Sequence, residues 1–152
     1  MTPAGTALIV GFLIILAVCI WIDKNSNKKF AKRIDEEYPQ LEILGAAWVT
    51  GKGELLFACG SGTLLGYKKW NLKDVAYIGT SAAGPMKGQF SFYDKNGEVM
   101  RGEYLTPSRK PLKEKLYCSF YIGVRHIDEF VAFVKKYGPH IEHMVNGKVV
   151  PY

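Results

Sequence analysis

The sequence predicts an α+β chain that is mainly β: one N-terminal transmembrane helix, then an antiparallel small barrel or sandwich of about seven strands with a C-terminal amphipathic helix. Three observations predict it. The nineteen residues from Ala4 to Ile22 hold no charge. Short apolar runs separated by glycine turns follow from Gly45 to Ile122. The apolar period then lengthens to a helical one in IDEFVAFVKKYGP.

The first element is the uncharged run. At about 1.5 Å per residue it makes a helix of roughly 28 Å, close to the hydrocarbon thickness of a bilayer. A secretory signal would need a basic start, a shorter apolar stretch and a small-x-small cleavage site. Nothing before this run carries a side-chain charge, and Ile20-Trp21-Ile22 stays apolar where cleavage would fall. The stretch LAVC, ending at Cys19, departs from a lipoprotein box because Val18 is large and apolar residues follow. Soluble cores seldom use a terminal run this long and this free of charge. Residues 1–22 are therefore expected to be a retained anchor, with Trp21 at the water interface.

Lys24, Lys28, Lys29, Lys32 and Arg33 form a basic collar within the next ten residues. Cytoplasmic flanks collect Lys and Arg, so the expected place is the cell membrane, crossed once, with the N-terminus outside and the C-terminal domain cytoplasmic. The collar is read first as a topology signal and second as a site for anionic lipid headgroups. Asp35, Glu36 and Glu37 reverse the sign, and Pro39 follows, so residues 23–40 are expected to be a juxtamembrane linker or short helix. Residues 41–152 form the β-rich domain.

All 20 Lys and Arg and all 14 Asp and Glu lie beyond Ile22, so the net charge of +6 belongs to the part outside the anchor. That part is long enough for one domain with its own core. Its charge is spread, with no basic stripe past the collar, so nucleic acid is not an expected partner. Cys59 and Cys118 sit in apolar stretches at a spacing that matches no zinc or redox motif. Two buried thiols fit a reducing compartment, whereas a disulfide between them would place the domain outside the cell.

Within the domain, GAAWVT ends at Gly51-Lys52-Gly53, ELLFACG ends at Gly60-Ser61-Gly62, and TLLGYKKW follows, the spacing of hairpins closed by glycine turns. A fourth strand lies around Val75 to Ile78. TSAAGP is a loop, and GQFSFYD and EVMRGEYL flank an Asn-Gly turn at Asn96-Gly97. In KLYCSFYI, Leu116, Cys118, Phe120 and Ile122 alternate with Tyr117, Ser119 and Tyr121, which gives one core face and one outer face. Ile127, Phe130, Val131, Val134 and Tyr137 then recur at helical spacing, and Gly138-Pro139 stops the helix. That stripe is expected to dock on the sheets, and the segment GPHIEHMVNGKVV to be a solvated tail or added hairpin.

Strands followed by one amphipathic helix, with WNLKDVAYIGT, FSFYDKNGEV and IDEFVAFVKKYGP in that order, resemble a bacterial pleckstrin-homology-like domain over roughly residues 41–138. The resemblance implies an interaction domain and leaves lipid binding, peptide binding and assembly equally open. It carries over no phosphoinositide-binding residues, because the first hairpin offers only Lys52, set between two glycines.

No residue set announces catalysis. His140, Glu142 and His143 are close in sequence, and two histidines three apart could share a face toward a metal, but a further ligand and a base would be needed. His126, before the helix, reads as a capping or surface residue. GKGE and GTSAAGP lack the strand-then-helix context of a phosphate loop. The sequence therefore implies no catalytic residue, no metal and no cofactor. Tyr67, Trp70, Tyr117 and Tyr121 are the candidate interface, since aromatic anchors dominate many protein contacts. Three classes of function follow: a non-enzymatic scaffold or accessory subunit beside a protein partner in or at the membrane; a peripheral lipid sensor using the collar; and, last, a small hydrolase or metal enzyme near His126, His140 and His143.

Overall fold

The computed structural model describes residues 3–59, 65–81, 88–107, 120–121 and 127–151. Helix α1 (Pro3–Glu37) runs unbroken for 35 residues. Pro39 disfavours helical backbone at the residue before it, and the ladder ends with the Tyr38 amide donating to the Ile34 carbonyl at 2.8 Å. Through Ile22 the helix leaves its large apolar side chains open: Leu8 is 76% exposed and Trp21 66%. This is one helix long and apolar enough to cross a membrane.

Past Ile22 the same helix behaves differently. Phe30 and Ile34, one turn apart, are 4% and 1% exposed and pack with Trp48 and Leu56. The segment read as a juxtamembrane linker, residues 23–40, is thus helical as far as Glu37 and docked on the domain. Pairs at four-residue spacing, Lys32 with Glu36 at 3.7 Å and Arg33 with Glu37 at 3.9 Å, favour that continuation.

Among the described residues eleven short strands follow in two sheets: β1 (Gln40–Leu44), β2 (Ala47–Thr50), β3 (Glu54–Ala58), β4 (Tyr67–Asn71), β5 (Tyr77–Thr80), β6 (Gln89–Tyr93), β7 (Val99–Met100), β8 (Glu103–Leu105), β9 (Phe120–Tyr121), β10 (Glu142–Val145) and β11 (Lys148–Val150). Helix α2 (Ile127–Tyr137) lies between β9 and β10. The first sheet has the order β1-β2-β3-β4-β8, all antiparallel. The second has the order β11-β10-β5-β6-β7, with β9 also on β6.

One core joins the two sheets and α2. The first sheet supplies Val49, Leu55, Phe57 and Trp70, the second Ile78, Phe90 and Phe92, and α2 Phe130, Val131, Phe133 and Val134. Aromatic rings meet at its centre, Phe90 with Phe130 at 4.5 Å between centroids and Trp70 with Phe92 at 5.1 Å. The helical stripe expected in α2 is the buried one.

The expected arrangement differs from this in two places. The strands exceed seven, partly because the chain after α2 forms the added hairpin, β10 and β11, rather than a solvated tail. Ile141 is fully buried, and β10 enters the second sheet parallel to β5, so α2 is not C-terminal to all the strands. Asn146 (φ 50°) and Gly147 (φ 78°) form the turn to β11, both in the left-handed region that Asn and Gly tolerate best. Of KLYCSFYI, only Phe120 and Tyr121 are among the described residues, paired with Phe90 and Gln89; Leu116, Tyr117, Cys118, Ser119 and Ile122 lie outside them, as do most of TSAAGP and His126.

Candidate functional site

A concavity lies on the outer face of the second sheet. Side chains alternate along its strands, so Ile78, Phe90, Phe92 and His143 turn inward while Gly79, Ser91, Tyr93 and Met144 turn outward. The register sets Gly79 beside Ser91 on one side and Met144 on the other. Two residues with little or no side chain thus sit together in the middle of the face. They form the floor of a groove of about 540 Å³ with Tyr93 and Met144 among its walls. The size suits a small ligand or a short stretch of chain.

Gly79 is required by this arrangement. A Cβ there would lie 2.5 Å from Cε2 of Tyr93, whose ring crosses the floor. The rim is polar and fixed: the Asn146 amide donates to the Thr80 carbonyl at 3.0 Å, and the Ser81 hydroxyl donates to Asn146 Oδ1 at 3.3 Å. Among the described residues no Asp, Glu, Lys, Arg or His lines the groove. The described lining offers shape, an aromatic wall and neutral hydrogen bonding, which suits recognition of uncharged groups.

The histidines do not converge. His143 turns into the core, where its Nε2 and the Thr80 hydroxyl are 2.8 Å apart, and burial pushes its pKa down. Glu142 precedes it in the strand and is exposed on the other face. His140 Nε2 lies 3.1 Å from the Val75 carbonyl. Among the described residues no group of three His, Cys, Asp or Glu could hold a metal ion.

The four candidate interface residues do not make one patch. Trp70 is a core residue, 2% exposed, and its indole N–H donates to the Met100 carbonyl at 3.0 Å. The inward position beside it is filled by Lys68, which is itself 3% exposed with its ammonium 5.8 Å from the indole ring. Tyr67 is on the opposite face of β4, under α1, with its ring 5.8 Å from Phe30 and 5.2 Å from Trp48. Tyr121 belongs to the other sheet, its backbone opposite Gln89. Tyr117 lies outside the described residues.

Of the collar, Lys24, Lys28, Lys29 and Lys32 are exposed, while Arg33 is half-buried with its guanidinium 5.2 Å from the Phe30 ring centroid. The residues missed from sequence are Phe30, Ile34, Gly79, Ser91 and Met144. The four-residue spacing of Phe30 and Ile34 was a signal for docking, and the alternation in QFSFY one for the outward Ser91 and Tyr93.

At the far end of the docked helix, Lys69 is held between Glu103 at 2.8 Å, Glu54 at 3.6 Å and the Tyr38 hydroxyl at 3.4 Å. Burial alone would lower its pKa, but the bonds to Glu103 and Tyr38 outweigh that and hold it above the usual lysine range. Cys59 is a free thiol whose pKa burial pushes up, so it is not an activated nucleophile.

Compared with known proteins, the chain matches no family, no curated protein and no solved structure.

Proposed function

We propose that this chain is a single-pass, non-enzymatic interaction module, a scaffold or accessory subunit that holds a β-rich domain at the cytoplasmic face of the cell membrane. The observation that carries the reading is α1 itself: an open apolar half followed, without a break, by a half whose Phe30 and Ile34 are built into the domain. A flexible tether would only confine a domain; a docked helix also fixes its height and orientation, as an assembly role requires. The collar of exposed lysines supports a cytoplasmic domain.

The groove on β5, β6 and β10 is the docking surface of this module. Ser91 leaves room on the floor beside the Tyr93 ring, and the neutral polar rim can pair with peptide groups. The pleckstrin-homology-like reading of the domain is part of the same proposal, supported by the order of strands before α2 and departing from it at β10 and β11. A lipid sensor is the second reading, favoured by the four exposed collar lysines.

The test is a gentle-detergent pull-down of the full chain from its native membrane, beside Ser91→Tyr, which fills the groove, and a variant with Lys24, Lys28, Lys29 and Lys32 changed to Gln. A stoichiometric partner lost from Ser91→Tyr and kept by the collar variant supports the interaction module. Recovery of the chain alone, with a preference for anionic over neutral liposomes that disappears in the collar variant, replaces it with the lipid sensor.

A further inference from the structure

We propose that one end of the first sheet rests on the lipid headgroups of the bilayer that α1 crosses, through a rim made of the Gly45–Ala46 turn, Leu65–Gly66 and Leu105–Pro107. This rests on the reading of α1 as a membrane anchor, and it adds which surface of the domain faces the bilayer.

The direction comes from how α1 lies on the sheet. Phe30 packs on Tyr67, at the start of β4, with 5.8 Å between ring centroids. Eight residues further from the anchor, the Tyr38 hydroxyl meets Lys69, two residues further along β4, at 3.4 Å. Moving away from the anchor along α1 is therefore moving from the start of β4 toward its end. The strand register carries this level across the sheet. Tyr67 pairs with Ala58 on one side and Leu105 on the other, and the Ala58 amide donates to the Ala46 carbonyl at 2.7 Å. The turn at Gly45–Ala46 and the residues flanking β4 and β8 are thus the anchor-side end of the sheet.

The height comes from helix and strand geometry. Phe30 is eight residues past Ile22, or about 12 Å along the axis at ~1.5 Å per residue. The rim begins at the level of Phe30 and extends one or two residues back toward the anchor, about 3–7 Å at ~3.3 Å per residue. That leaves about 5–9 Å between the rim and the end of the apolar run, the depth of one headgroup layer.

Charge gives an independent reason. Among the described residues the anchor-side rim carries no Asp, Glu, Lys or Arg. The opposite end of the same sheet carries Lys52 in the β2–β3 turn, Lys73 and Asp74 after β4, and Arg101 before β8. The described rim residues enter the interface without stripping water from an ion, whereas those of the other end would have to do so. The exposed Lys24 and Lys28 precede Phe30 on α1 by six and two residues, on the stretch between the apolar run and the docked half, where they can meet lipid phosphates.

The test uses the full chain in liposomes of phosphatidylcholine and phosphatidylglycerol, with Cys19, Cys59 and Cys118 replaced by Ser. An environment-sensitive fluorophore is placed at Trp21→Cys, Ala46→Cys or Lys52→Cys, and lipid spin-labelled at the headgroup is the quencher. Each labelled protein must unfold at the temperature of the unlabelled chain; should Ala46→Cys fail this, Thr106→Cys on the rim and Lys73→Cys opposite it serve as the pair. The expected result is quenching at Trp21 and Ala46 several-fold stronger than at Lys52. Quenching at Trp21 with equal quenching at Ala46 and Lys52, or with Lys52 the stronger, overturns the proposal and leaves the anchor standing. Absence of quenching at Trp21 overturns the anchor reading, and the proposal with it.

Discussion

The two sheets contribute to one core but present opposite outer faces. On the first, Trp48, Leu56 and Tyr67 are covered by Phe30 and Ile34 of α1, so the strands are buried on both sides. On the second, Gly79, Ser91, Tyr93 and Met144 line an open groove. The amino-acid patterns differ for the same reason. A strand buried on both faces reads as a continuous apolar run, as AWV and LLF do, while a strand with one open face alternates, as QFSFY does. The comparison teaches that the outer face of the first sheet is apolar where α1 covers it, while that of the second sheet, left open, places the small residues Gly79 and Ser91 beside Tyr93 and Met144.

The largest effect should come from breaking the closed face. Ile34→Ala removes a side chain that is 1% exposed and should cost about 2–5 kcal/mol of unfolding free energy, measured by urea denaturation in detergent. Ser91→Ala, on the open face, should change it by no more than about 0.5 kcal/mol. Equal costs at the two positions would erase the distinction between the faces.

Filling the groove comes next. Gly79→Val drives a branched side chain into the Tyr93 ring and should cost about 1–3 kcal/mol. Adding Tyr93→Ala to it should restore part of the loss, and the size of that rescue measures how firmly the ring is held over the floor.

A pH effect sharpens the inner side of the second sheet. Burial lowers the pKa of His143, so the unfolded chain binds a proton that the folded chain resists. This contribution to stability is complete above the ordinary histidine value of 6.5 and is lost as pH falls through it toward the lowered folded value. The melting temperature should drop on acidification below that value, and His143→Gln should flatten this part of the profile. A profile unchanged by the substitution would place the titration elsewhere.

The smallest effect should be at Glu42, where Lys136 and Tyr137 of α2 donate to its carboxylate and lower its pKa. The pair is exposed to solvent, so Glu42→Gln should leave the unfolding midpoint nearly unchanged at physiological salt, with any difference shrinking as salt is raised.

The coarse fold was legible because long-range order was not needed to see it. The uncharged run from Ala4 to Ile22, the glycine turns and the stripe of α2 are all local patterns. The course of residues 23–37 was hidden because its charges mark it as a solvated collar, and only the spacing of Phe30 and Ile34 says otherwise. The place of β10 was hidden because a parallel partner is chosen in three dimensions: nothing within EHMV points to Tyr77–Thr80. Trp70 was misplaced because a buried lysine breaks the apolar alternation on which such a reading depends. The groove was least visible of all, since its floor is formed where Gly79 and Ser91 lose side-chain bulk on adjacent strands, and their adjacency is a matter of register.

The central claim is that α1 and the domain form one rigid body. It is tested most directly by the distance between spin labels at Lys28→Cys on α1 and Lys73→Cys after β4, in the full chain free of its native cysteines and reconstituted in bilayers. The account predicts a single narrow distance distribution, broadened when Ile34→Ala is added. A broad distribution in the chain with Ile34 intact would contradict it.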